Sequence, residues 1–161
     1  MNSATNVLVG SIKLASKSSQ QFAFLTGSIS SLTATTTTTF TLSGFDSNFT
    51  SANNGQAVNL LPGVYEAISY INFPQPVNGT GSQFASTFFT VSGTNAVCNP
   101  SNVQTNAFFN GWPANYTVSL YGVSYLYMPS GGTLAMQIYQ SLGGTVSNAA
   151  LTLSLKLVTP Y

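Results

Sequence analysis

Histidine and arginine are absent from this 161-residue chain, cysteine occurs once, and charged residues make up 3% of it, where an ordinary soluble domain has about 25%. The whole ionic inventory is Lys13, Lys17, Lys156, Asp46 and Glu66. Each absence closes a class of chemistry. Without histidine, neither a Ser-His-Asp nor a Cys-His arrangement can be assembled. A two-carboxylate glycosidase would have to use Asp46 with Glu66, and nothing in their spacing brings them together. Asp46 follows Gly44-Phe45 and reads as a turn residue. Glu66 lies on an expected strand, where pairing with a lysine or a partner chain suits it better than catalysis. The sequence therefore predicts a protein that is not an enzyme and has no cofactor or catalytic site.

Metals and nucleic acids are disfavoured on the same grounds. A calcium site built on Asp46 and neighbouring carbonyls would be weak with one carboxylate. A lone Cys98 allows no intrachain disulfide and no multi-cysteine metal site. It reads as a small buried hydrophobe, with a disulfide to another copy as the lesser alternative. Lys13 and Lys17 make a solvated pair and do not form the clustered cations that phosphate backbones require. No stretch approaches the roughly 20 consecutive apolar residues of a spanning helix. Residues 1–15 also lack the basic leader and apolar run of a secretory signal, so none is expected.

In place of charge the chain has Ser, Thr, Asn and Gln, which make up roughly two-fifths of it. Hydrophobic residues reach 43% and aromatics 12%, enough for a packed core and too many for disorder. Such a surface is neutral, and net charge near zero favours association over dispersion. With two carboxylates and no histidine, proton uptake has little leverage on the fold, which points to an exterior and harsh setting. An exterior composition without a leader is what a virion protein would show, since it is made inside a cell and leaves with the particle.

The hydrophobic period is two almost throughout. Residues 151–157 (LTLSLKL) place leucine at every odd position, with Thr152, Ser154 and Lys156 between them, as in a strand with one wet face. Residues 37–43 (TTTFTLS) read as a strand presenting Phe40 and Leu42 to one side. Residues 64–73 (VYEAISYINF) and 83–92 (QFASTFFTVS) read as two more, with Phe89 and Val91 of the second facing one way. In 115–128 (NYTVSLYGVSYLYM) both faces carry bulk: Val118, Leu120, Leu126 and Met128 on one, Tyr121, Val123, Tyr125 and Tyr127 on the other. The turn Pro129-Ser130-Gly131-Gly132 then leads into TLAMQIYQS, and the pair reads as a hairpin. The stretch from Asn95 to Pro113 reads as a long loop with a short strand inside it. Further strands are expected near Val7–Leu14 and Phe22–Ile29. The sum is an all-β, antiparallel jelly-roll sandwich of about eight to ten strands, one domain over 1–161, with 1–34 an N-terminal arm plus the first strands.

Over roughly residues 35–158 the chain resembles the globular heads of the C1q and tumour-necrosis-factor superfamily. The likeness is carried by Gly63-Val64-Tyr65 opening a long alternating strand, by YGVSYLYMPSGGTLAMQIY, and by the closing LTLSLKLV. The resemblance implies a single jelly roll packing as a trimer, a fold also used in viral capsid, vertex and spike proteins. The collagen-like stalk of the animal members is missing, as is the acidic residue of their penultimate turn.

When both faces of a strand are apolar, one fills the core and the other must be covered by something else. Tyr65, Tyr121, Tyr125, Tyr127 and Tyr139 are the candidates for a subunit interface, since tyrosine is enriched at such surfaces; the alternative is that several line one large core. Asn110 and Trp112, in Asn110-Gly111-Trp112-Pro113, offer an aromatic face with an amide for a glycan or other ligand, or else an anchor for their loop. Asn48, Asn78 and Asn115 open N-glycosylation sequons. The function these features point to is a self-assembling virion structural subunit, with copies of itself and other coat proteins as partners. The alternatives are a trimeric receptor- or glycan-binding head, or an extracellular filament or spore-coat subunit with residues 1–15 as a donated strand.

Overall fold

The computed structural model describes residues 21–33, 35–73, 85–105, 118–141 and 145–160. They form two antiparallel sheets packed face to face. The strands are β1 (Phe22–Leu32), β2 (Thr37–Thr39), β3 (Thr41–Ser43), β4 (Ser51–Ala52), β5 (Ala57–Leu60), β6 (Gly63–Phe73), β7 (Ala85–Ser92), β8 (Val97–Asn99), β9 (Asn102–Thr105), β10 (Val118–Met128), β11 (Gly132–Gln140) and β12 (Val146–Pro160). One sheet runs β3-β1-β12-β6-β10-β8 and the other β4-β5-β11-β7-β9, with β2 also on β11. Four of these strands have only two or three residues. Numbered along the chain, the remaining eight are ordered 1-8-3-6 in the first sheet and 2-7-4-5 in the second. That is the strand order of a jelly roll.

The core follows from the alternation. Leu151, Leu153 and Leu155 of β12 are buried while Thr152 is exposed. Leu120, Leu126 and Met128 of β10 point inward with them. From the second sheet, Phe89, Leu134, Met136 and Ile138 close the sandwich, and Phe40 and Phe49 are buried in the same core. Asp46 is a turn residue: its carboxylate accepts the backbone N–H of Asn48 at 2.7 Å and of Phe49 at 2.9 Å. This Asx turn delivers the buried Phe49 to the core.

Three sequence expectations are corrected. The segment TTTFTLS is two short strands in different sheets: β2 pairs with β11 and β3 with β1. The chain changes sheet at Phe40, whose N–H donates to Met136 O at 3.0 Å and whose ring is wholly buried between the layers. The long loop expected from Asn95 holds two short strands, β8 and β9, again in different sheets.

The third correction concerns PSGG, which does not close a hairpin. Met128 pairs with Gly63 of β6 and Gly132 with Leu60 of β5, so the turn carries the chain from one sheet to the other. Both flanks of β10 are taken, by β6 along its length and by β8 near its end, leaving no edge for β11. The glycines make the corner passable. Gly131 has φ +72° and Gly132 φ +150°. A Cβ on Gly131 would stand 2.7 Å from Leu60 O, and one on Gly132 would collide with Ser92 O.

Candidate functional site

The inward parity of the first sheet packs the core; its outward parity builds a second, aromatic surface. On β10 the outward residues include Tyr121, Tyr125 and Tyr127, and the first two are 60% and 54% exposed. Register places β6 beside them, with Tyr70 opposite Tyr121, Ile68 opposite Val123, Glu66 opposite Tyr125 and Val64 opposite Tyr127. β12 continues the face with Lys156 opposite Glu66, and β1 completes it with Phe22 opposite Lys156 and Phe24 opposite Ser154. Phe24 is 65% exposed, and its ring meets that of Phe22 edge-on at a centroid distance of 4.4 Å. Strands about 4.8 Å apart put roughly 15 Å between the Phe22 and Tyr125 positions, and six residues of β10 span roughly 20 Å.

Polar groups are interspersed on this face, Thr152, Ser154 and Lys156 of β12 lying between the phenylalanines of β1 and the tyrosines of β6 and β10. The Tyr125 hydroxyl donates to Glu66 Oε1 at 3.3 Å, and Tyr70 Oη shares a 2.8 Å hydrogen bond with Ser119 Oγ. The second sheet presents a different exterior. There Thr90 Oγ1 donates to Gln137 Oε1 at 2.9 Å, and Gln137 Nε2 donates to Thr39 Oγ1 at 3.1 Å. That face is a hydroxyl–amide ladder that water can replace. The two outer faces thus differ in kind.

The five tyrosines read from the sequence do not share one surface. Tyr121, Tyr125 and Tyr127 lie together on the aromatic face. Tyr65 is 1% exposed and belongs to the core, so it cannot meet a partner there. It packs edge-on against Phe49, and its hydroxyl donates to Leu61 O at 2.8 Å. Burial pushes its phenol above the ordinary value, partly offset by that hydrogen bond. Tyr139 is half-buried on the outer side of the second sheet, opposite Ser86 and Thr37. Sequence reasoning did not single out Tyr70, Phe22 and Phe24 for this surface. Tyr70 had a signal: it shares its strand face with the charged Glu66, and alternation then sends Tyr65 inward.

Asn48 is exposed in the Asp46 turn. Asn78, Asn110, Trp112 and Asn115 lie outside the described residues, as do Lys13 and Lys17. Cys98 is half-buried and its thiol donates to Phe89 O at 2.9 Å. Burial pushes its pKa up, so it is held in the thiol form.

No protein-family model matches the chain, that of the C1q and tumour-necrosis-factor heads included, and no curated protein matches it significantly. Among solved structures it is similar to PRD1 vertex protein P5, with 14% identity and a TM-score of 0.46 over 84% of this chain and 96% of that one.

Proposed function

We propose that this jelly roll is a structural subunit of a virion, a capsid, vertex or spike component that works by packing against copies of itself and other coat proteins and performs no catalysis. The observation that carries the reading is the aromatic outer face of the first sheet. Six aromatic rings there (Phe22, Phe24, Tyr70, Tyr121, Tyr125 and Tyr127) are each about half exposed. At roughly 200 Å² per ring they expose on the order of 600 Å² in total, in two groups, Phe22 with Phe24 on β1 and the four tyrosines on β6 and β10, with Thr152, Ser154 and Lys156 of β12 between them. A standard interface covers about 800 Å² per partner and combines apolar and polar groups in this way. A domain with this patch and almost no charge elsewhere to keep copies apart is built to be covered.

The supporting chemistry is geometric. Tyrosine presents area to a neighbour at little cost in side-chain entropy and keeps a hydroxyl for the rim. The Ser/Thr/Asn surface of the other sheet remains in water. Electron microscopy of the purified, concentrated full chain tests the proposal. Closed shells or five- and sixfold capsomers support it. An isolated threefold particle favours the receptor- or glycan-binding head, and a helical polymer favours the filament.

A further inference from the structure

Three described residues carry charge, Asp46, Glu66 and Lys156, and the last two stand side by side inside the aromatic face. The row across the sheet reads Phe22, Lys156, Glu66, Tyr125, Asn99. Across the sheet Glu66 is flanked by Lys156 on β12 and by Tyr125 on β10, whose hydroxyl donates to Glu66 Oε1. On an open surface such a pair contributes little. Beneath a covering partner it becomes decisive, because a desolvated charge is tolerated only when it meets its opposite.

We infer that this face docks on the same face of a second copy about a two-fold axis running parallel to the strands, with Glu66 of each copy over Lys156 of the other. The inference rests on the self-assembly reading and specifies one of its contacts. A two-fold contact between the same face of two copies needs an axis lying in the plane between them, and its limiting directions run along and across the strands. Glu66 and Lys156 lie on adjacent strands, so the line joining them runs across the strands. Rotation about an axis along the strands exchanges their positions, placing carboxylate over ammonium twice. Rotation about an axis across the strands stacks carboxylate on carboxylate and ammonium on ammonium. A slide of two residues along the strands puts each Lys156 against Val64 or Ile68 and each Glu66 against Ser154 or the bulge at Leu157–Thr159. The aromatic rings would tolerate any of these arrangements; the charge pair accepts one. Its role is orientation and register, which apolar packing alone does not specify.

The test uses the full chain with Glu66→Lys, with Lys156→Glu, and with both together, each compared with wild type by circular dichroism and sedimentation equilibrium. All three are expected to fold like wild type, since the pair is half-buried on the outer face. Each single variant is expected to self-associate at least about tenfold more weakly, because both stacked positions then carry like charge. The double variant is expected to return to wild-type affinity. Mixing the two single variants in equal amounts is expected to restore association that neither shows alone, which an effect confined to one copy cannot produce. Single variants that associate like wild type, or a mixture that stays dissociated, would overturn the inference and leave the assembly reading standing. A wild-type chain that is monomeric at every concentration would remove both.

Discussion

Ser124 sits on the inward parity of β10, fully buried, and its hydroxyl has no hydrogen-bond partner. A polar atom desolvated without compensation costs about 1–3 kcal/mol. Replacing Ser124 with alanine is therefore expected to raise the free energy of unfolding by about 1 kcal/mol in a denaturant titration; a clear loss would contradict the burial described here. Tyr65 makes the opposite case, a buried hydroxyl that is satisfied. Its raised phenol pKa means that the folded state holds its proton more tightly than the unfolded chain does. The corresponding stability is fully present below the ordinary value of 10.0 and is lost as pH rises above it. Thermal melting should therefore hold steady up to about pH 9 and fall beyond pH 10. Tyr65→Phe is expected to flatten that fall, at a cost of about 1 kcal/mol at neutral pH from the lost bond to Leu61. An unchanged alkaline profile in the variant would assign the fall to other tyrosines.

The strands show which features the sequence discloses. LTLSLKL is readable because one parity is leucine and the other polar, and β12 buries its leucines as expected. In β1 the segment FAFL is apolar on both parities, so nothing local says that Phe22 and Phe24 go outward while Ala23 and Leu25 go in. β10 is ambiguous for the same reason: its inward Leu120, Leu126 and Met128 and its outward Tyr121, Tyr125 and Tyr127 are all bulky. The PSGG turn was legible as a turn. Its destination was not, because the partner of the next strand is set by which edges β6, β7 and β8 leave open, and that is a long-range property. The corner gives an expected outcome of its own. Gly132→Ala would force a Cβ against Ser92 O at a φ that L residues avoid, and a loss of at least about 2 kcal/mol is expected by chemical denaturation. A near-neutral result would mean that the two sheets are not held together at this corner in the way described.

At the level of the molecule, the chain divides its apolar residues between two tasks. One set fills the sandwich; a second, smaller set makes an outer surface that water covers poorly. The scarcity of charge has two consequences. Copies of the chain repel one another weakly, and with two carboxylates and no histidine the fold gains few protons on acidification. Circular dichroism is therefore expected to be retained from neutral pH to about pH 3. Acid unfolding within that window would remove the argument for a harsh exterior setting.

Sedimentation of the full chain over a wide concentration range, wild type beside Tyr121→Ser/Tyr125→Ser, decides whether the aromatic face drives assembly. Wild type is expected to assemble as concentration rises, while the double variant stays monomeric with the same circular dichroism spectrum. A monodisperse wild-type monomer throughout, or a variant that assembles equally well, would contradict that role for the face.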